Sequence, residues 1–559
     1  MARTVTVTVR LAGLGRAGLR LWRLDLIAVA FAAAFFCLSL TPSLLPRPWY
    51  LQGAISGILT ATGYGVGAIA GYLARRVVRW RPTPEGRTLA WRICYSTATV
   101  FGIAFLYQSA QWQRQIYQLM GMAPPPTGGY LGVPLLAALF FAVLLAIARL
   151  LRAVVRALGR VFSRWIPATA ARITATLGVV VLLILVLQGL VANVLIAGAN
   201  NSFKNLNGEV TPGTSPPHAY QLSGSPASLV PWASLGRYGR NFVVGGPSID
   251  SLTRFSGTPA TQPIRVYVGI ESADELRDRA AMAIRELERT GAFNRRVLCV
   301  ITTTGTGWVD RHSVDPLEYM YNGDTALVAM QYSFLPSWLS FAVDRDRAKA
   351  AGRELFNQVY ARWSELPAAQ RPKLLVFGES LGAFGAESAF SGVDDLRHRT
   401  DGVLFVGPPN SSALWREFVT ERDDGTGETL PTYEGGGTVR FVGAPTDLDS
   451  PASDWNQPRV LYLQHPSDPV VWWSPRLILN RPDWLREQRG GDVLPTMRWY
   501  PFVTFWQLSA DLVYSIKVPP GHGHDYGSEQ VDAWAHIAPP PGWTAERTAE
   551  LKAAVTGGS

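Results

Sequence analysis

The sequence predicts an N-terminal α-helical transmembrane bundle of about five spans, followed by an α/β domain built on a mostly parallel sheet. Three observations carry that expectation. Long apolar runs are confined to the stretch before Asn200, and arginines cluster between alternate runs. After Ile264, short apolar runs without polar-apolar alternation take turns with helix-forming segments, as strands buried on both faces of a parallel sheet do.

Spans are expected at about 24–45, 53–73, 93–110, 131–150 and 173–197, within a transmembrane domain over 1–199. The third is marginal against the ~20 residues that cross a bilayer. Arg3, Arg10, Arg16, Arg20 and Arg23 precede the first run, as in a secretory signal. That run is nevertheless long enough to span, no small-x-small cleavage site follows it, and further runs come after. Arg75, Arg76, Arg79, Arg81, Arg87 and Arg92 lie between the second and third runs, and Arg149, Arg152, Arg156, Arg160, Arg164 and Arg172 between the fourth and fifth. The loops after the first and third runs hold only Arg47 and Arg114. The positive-inside rule then puts the N-terminus and both Arg-rich loops in the cytoplasm. With five spans, everything after about residue 197 lies outside it. The third run has to cross for the two Arg-rich loops to share a side. A multi-pass protein of the cell membrane is expected.

The net charge of +10 comes mostly from these clusters, so it is not the footprint of a nucleic-acid binder. Hydrophobic residues make up 48% of the chain and mean hydropathy is +0.09, above an ordinary soluble enzyme. Cys37 and Cys94 fall in expected spans, leaving Cys299 alone in the outer domain, where no disulfide framework is possible.

Residues 200–262 turn to Asn, Gly, Pro and Ser and read as a linker or irregular segment. Its 232–242 stretch, with Trp232, Arg237, Tyr238 and Arg240, suits either lipid headgroups or packing on the next domain. That domain covers 263–559. Strands are expected at 264–270, 297–301, 326–332, 374–377, 402–406, 460–463 and 512–518, with helices at 273–289 and 344–365 and a core helix over 498–512. Ligands of such sheets bind at the carboxyl ends of the strands.

At one of those ends stands Gly378-Glu379-Ser380-Leu381-Gly382, between a strand and the helix-favouring 383–390. It fits the G-x-S-x-G nucleophile elbow, a turn so sharp that a Cβ at either glycine meets the neighbouring strand or helix. In a chain with 53 glycines the pattern can arise by chance, so its partners decide. Asp468, in His465-Pro466-Ser467-Asp468, follows a late strand, and His522 and His524 follow in Gly521-His522-Gly523-His524-Asp525-Tyr526. Ser, Asp, His is the chain order of the α/β-hydrolases, with the acid orienting the base. Alternatively, Asp468 beside Pro469 starts a turn and the histidines bind metal or are solvated. Two of only seven histidines in one loop at the required place favour the triad. Either could be the base: His522 is flanked by Gly on both sides, and His524 is followed by Asp525 and Tyr526. One oxyanion donor is expected from the N–H of Leu381. The other should come from Thr304, Gly305 or Thr306, in a loop lacking the G-K-[ST] of a phosphate-cradling P-loop.

Two aromatic stretches, around Trp338 and from Trp472 through Trp473 to Trp484, could line an acyl groove, touch the membrane interface or serve as core. With these residues in view, the chain resembles a family of actinobacterial membrane α/β-hydrolases that join an N-terminal multi-span domain to a C-terminal α/β-hydrolase domain. The resemblance rests on the Gly378 to Gly382 elbow, the Pro520-Gly521-His522-Gly523-His524 ending and the five-span pattern, and covers nearly the whole length. It implies Ser380 as nucleophile and leaves the substrate open. The expected activity is that of a membrane-anchored serine hydrolase, whether esterase, lipase or acyltransferase. It would act on acyl esters, lipids foremost, outside the cytoplasm through a Ser-His-Asp triad. The lipid bilayer and an acyl-ester or lipid substrate are the expected partners, with no nucleic acid, cofactor or metal. ATP and coenzyme A are not at hand there, so the acyl group comes from a lipid or another ester. A peptidase lacks any peptide-admitting domain here. A non-catalytic, hydrolase-like binding or signalling module on a transporter calls for ionisable residues in the spans, which hold almost none.

Overall fold

The computed structural model describes residues 24–77, 83–186, 189 and 192–557. The arginines before residue 24, together with Arg79 and Arg81, lie outside the described residues. The chain divides into two compact units. One consists of Met1–Val194, Pro475–Arg481 and Leu494–Asp511, the other of Leu195–Ser474, Pro482–Val493 and Leu512–Ser559.

Among the described residues of the first unit four helices are long and apolar enough to cross a membrane: Trp49–Val77, Pro84–Leu119, Gly128–Phe162 and Ala168–Leu185. The expected span at 24–45 is instead the 14-residue helix Leu26–Ser39, about 21 Å long at 1.5 Å per residue. Pro42, Pro46 and Pro48 follow it, and residues without an N–H cannot continue a helical ladder. By contrast, the marginal run at 93–110 sits inside the longest helix, the 36-residue Pro84–Leu119, which Thr83 caps and Pro84 starts. Glycines set the packing distance. A Cβ on Gly57 would sit 2.8 Å from the carbonyl oxygen of Ala137, and one on Gly63 2.7 Å from that of Phe31, so the three helices close on backbone as small-residue membrane interfaces do. Val100, Ile103, Leu135 and Leu182 are exposed, which suits a surface facing lipid.

Inside this apolar unit lies a polar core. Arg47, with no exposed side-chain surface, donates from Nε to Asp511 Oδ1 at 2.8 Å. It also donates to the Gln507 carbonyl at 3.2 Å and to Gln52 Oε1 at 3.3 Å. Asp511 Oδ2 takes the Ser43 hydroxyl and the Leu44 N–H, and Gln507 Nε2 donates to the Thr41 carbonyl at 2.9 Å. The helix Val503–Tyr514 carries these residues: Thr504, Gln507 and Asp511 recur at helical spacing on one face. Where a strand was expected over 512–518, this helix runs on to Tyr514 and ends in a turn, with the Lys517 N–H on the Tyr514 carbonyl. Its β-branched tail resembles a strand locally, but the polar face upstream fixes the helical period.

The second unit contains a sheet of seven strands: β1 Ile264–Val268, β2 Val297–Thr302, β3 Thr325–Met330, β4 Lys373–Glu379, β5 Gly402–Val406, β6 Val439–Val442 and β7 Arg459–Leu463. Their spatial order is β1-β3-β2-β4-β5-β7-β6, and every pairing is parallel. Every residue of β1, β2, β3, β5 and β6 is buried, which is why these strands show no alternation. The short β6, with Arg440 inside it, escapes a hydrophobicity reading. From β2 the chain moves to β3 on one side, and from β4 to β5 on the other. The crevice outside the carboxyl ends of β2 and β4 is therefore the switch point of the sheet.

The segment 200–262 is more ordered than its composition suggests. It holds the end of helix Ala192–Gly208 and the helices Gly236–Val244 and Ile249–Ser256. Arg240 caps the first of these by donating to the carbonyls of Asn207, Gly208 and Glu209, and Leu222 bridges to Arg265 of β1. Leu235, Phe242 and Leu252 are buried, so this stretch packs on its own unit.

Removing one partner of a buried ion pair leaves an uncompensated charge, at a cost of about 3–5 kcal/mol. Asp511→Ala should therefore sharply lower the unfolding midpoint of the purified protein in detergent. The double variant Arg47→Met with Asp511→Leu should recover most of that loss, as thermal melting of the three proteins will measure.

Candidate active site

Strand register brings the functional loops together. Thr302 pairs with Gly378, Glu379 with Val406 and Val406 with Leu463, so the strand ends form one row. Thr303, Ser380, Gly407 and Gln464 emerge side by side from it. Ser380 has φ 56° and ψ −123°, the left-handed side of backbone space that a non-glycine residue avoids. Its N–H is held by the Val406 carbonyl at 2.8 Å, and its own carbonyl receives the N–H of Phe384 at 3.2 Å, one turn into the following helix Leu381–Glu387. Both neighbouring glycines are sterically required. A Cβ on Gly378 would lie 2.6 Å from the Gly382 carbonyl oxygen, and one on Gly382 would lie 2.3 Å from that of Thr302.

Asp468, fully buried, accepts the Val470 N–H on Oδ1 at 2.8 Å. Its Oδ2 faces His524 Nδ1 at 2.6 Å and accepts the Tyr526 hydroxyl at 2.7 Å. An ionised carboxylate only accepts, so Nδ1 of His524 carries a proton and Nε2 is the ring nitrogen turned away from the acid. That Nε2 is buried and makes no hydrogen bond among the described residues. The His524 N–H is pinned by the Ser515 carbonyl at 2.7 Å. The ring lies over Gly407, where a Cβ would come within 2.6 Å of its Cε1. Gly407 directly follows Val406, the residue that holds the Ser380 N–H. Ser380, Asp468 and His524 thus converge on the ends of β4, β5 and β7.

His522 has a different partner. Its Nδ1 faces Asp492 Oδ2 at 3.4 Å, and Asp492 also accepts the Ser467 hydroxyl. The two histidines left open by sequence are thereby separated: His524 is joined to Asp468 and His522 is not.

In the loop after β2, the Thr304 N–H is taken by the Trp308 carbonyl at 3.1 Å and the Gly305 N–H by Ser337 Oγ at 3.3 Å. The amides of Leu381 and Thr303 make no hydrogen bond among the described residues, nor does that of Thr306. Thr303 lies against the elbow, its carbonyl 3.1 Å from where a Gly382 Cβ would stand. Sequence reasoning passed over it because a strand's last residue cannot be told from the first loop residue by composition. Gly407 and the hydroxyl of Tyr526 were missed too; Gly407-Pro408-Pro409 after β5, and an aromatic two residues past His524, were the available signals.

Beside the elbow a narrow crevice is lined by Thr302, Thr304, Trp308, Asp310, Phe377 and Glu379, among others. Glu379 is buried, and its Oε2 has no hydrogen-bond partner. Burial, then the negative charges of Asp310, Asp525 and Asp468, push its carboxyl well above the ordinary range, so the uncharged form is favoured next to Ser380. Of the aromatic border, Trp472 and Trp484 are core residues with rings 5.5 Å apart, whereas Trp338 is 71% exposed. Among the described residues no cluster of His, Cys, Asp or Glu is disposed to hold a metal ion.

Because the Gly382 Cβ would meet backbone, Gly382→Ala should displace the elbow from β2. The expected result is loss of Ser380 reactivity towards a fluorophosphonate, measured as labelling rate, together with a lowered melting temperature.

Comparison with known families agrees with this architecture. A profile described as an alpha/beta-hydrolase family matches residues 264–551, and one described as the N-terminus of that family matches residues 40–247. No curated protein and no solved structure matches the chain. The match over the sheet, the elbow and the histidine loop, together with the one over most of the apolar helices, means that the chain belongs to the alpha/beta-hydrolase family and carries that family's N-terminal domain.

Proposed function

We propose that the protein is a membrane-anchored serine hydrolase that cleaves or transfers acyl groups of esters, lipids foremost, outside the cytoplasm. The observation that carries this reading is the buried His524–Asp468 pair, with Nε2 unpartnered, beside a strained Ser380. Ser380 Oγ attacks the ester carbonyl carbon while its proton passes to His524 Nε2. Asp468 keeps the ring oriented and stabilises the imidazolium. The negative charge formed on the carbonyl oxygen is met by the N–H groups of Leu381 and Thr303. Collapse of the tetrahedral intermediate expels the alcohol, which takes the proton from Nε2 and leaves Ser380 acylated. A water molecule, or a hydroxyl of glycerol or a sugar, then gives its proton to Nε2 and attacks the acyl carbon, and Ser380 Oγ leaves taking that proton back from Nε2.

The proposed side of the membrane is supported by the last Arg-rich loop. Arg152, Arg156, Arg160 and Arg164 precede the helix Ala168–Leu185, so the positive-inside rule puts its start in the cytoplasm and its end outside. Counting from this loop, rather than from the N-terminus, makes the outcome independent of the short helix Leu26–Ser39.

Intact cells treated with a membrane-impermeant fluorophosphonate should label wild type and not Ser380→Ala. Labelling only after lysis would put the domain on the cytoplasmic side, and no labelling in either case would leave a non-catalytic binding module as the better reading. His524→Ala should reduce the labelling rate about a thousandfold or more, as loss of a triad base does. His522→Ala should stay within about tenfold of wild type, because a base not bonded to the acid contributes little; equal losses in the two variants would reverse the assignment.

A further inference from the structure

A second buried histidine, unused in the mechanism above, lies under the catalytic loop. His465 follows β7 and Gln464, and its side chain is 1% exposed. Its Nδ1 is 2.9 Å from the Gly523 carbonyl oxygen, and its Nε2 is 2.7 Å from Glu529 Oε2. A carbonyl only accepts hydrogen bonds, and so does a carboxylate. Both ring nitrogens must therefore donate, which makes His465 a buried imidazolium.

The position of this cation matters. Gly523 immediately precedes His524 and is held on both sides, its N–H by Ser467 Oγ at 2.8 Å and its carbonyl by His465. Gly521 and Gly523 both have positive φ, 89° and 55°, so the loop depends on external contacts to keep this turn. The His465 ring also stacks on Tyr526 with centroids 4.0 Å apart and planes 17° from parallel, and the Tyr526 hydroxyl is one of the donors to Asp468.

We propose that His465, anchored by Glu529, is a positioning residue that acts in its protonated form, holding the Gly523 carbonyl and the Tyr526 ring so that His524 stays aligned between Asp468 and Ser380. This inference rests on the serine-hydrolase reading of Ser380, His524 and Asp468. The charged groups facing His465 are Glu529 on the helix Glu529–Ile537, Asp492 before the catalytic loop and Asp525 within it; Tyr526 faces it as a neutral ring. Burial opposes the charge. The hydrogen bond and charge of Glu529, with the Gly523 carbonyl and Asp492, outweigh it and raise the pKa of His465 above the ordinary histidine value.

The sign follows from that direction. A folded-state pKa above the unfolded value of about 6.5 gives stabilisation that is full below the unfolded pKa and is lost as pH rises through the folded one. Activity should thus fall on the alkaline side, as His465 loses its proton.

The test is the rate of Ser380 labelling by a fluorophosphonate as a function of pH, on full-length protein in detergent, with thermal melting alongside. Wild type should lose rate along an alkaline limb. Glu529→Gln should move the alkaline limb to lower pH by about one unit, the size of a lost charged hydrogen bond. His465→Gln keeps a donor for Gly523 without a titrating proton, and should retain part of the rate with the alkaline limb gone. A purely structural role would lower rate and melting temperature without moving the limb. An alkaline limb that stays put in both variants while wild type labels would overturn this inference alone. A wild type that never labels, at any pH, would overturn the serine-hydrolase reading and this inference with it.

Discussion

The site is organised around a backbone constraint. Ser380 is held at a positive φ, a conformation worth about 1–3 kcal/mol of strain. It persists because its surroundings over-determine it: the Val406 carbonyl takes its N–H, and Gly378 and Gly382 let a strand and a helix close to backbone contact around it. The parallel sheet makes this possible. Its order places β4 between β2 and β5, so the loop with Thr303 arrives from one side and those with Asp468 and His524 from the other.

Around the elbow, electrostatics are arranged by burial and pairing. Asp468 faces three donors, Glu379 is favoured in its uncharged form, and His465 carries a positive charge among Glu529, Asp492 and Asp525. Charged and uncharged side chains are thus kept close together in one loop cluster, each by the partners and the burial particular to it.

The apolar unit has its own internal constraint in the Arg47–Asp511 pair. Here the pair ties a segment late in the chain to the stretch between the first two helices, and either charge left alone there would be costly. Sequence distance hides such a pair, since each residue taken alone reads as an ordinary loop or helix charge.

Local periodicity determined a good deal: the strands buried on both faces, the long apolar helices, the arginine asymmetry, and the elbow with an acid and two histidines in the right order. These are legible because each depends on neighbours within a turn or a strand. What depends on distant partners was decided by tertiary structure. His524 rather than His522 bonds Asp468, since the turn through Gly521 and Gly523 aims only one ring at the end of β7. Thr303 is the loop residue against the elbow, because the register of β2 on β4 ends there. The first apolar run is a short helix and 512–518 is no strand: prolines stop the one, and the polar face shared with Arg47 fixes the period of the other. A sequence names the residues able to do the chemistry, but which of them meet is set by strand register and loop closure, through contacts between residues that are remote along the chain.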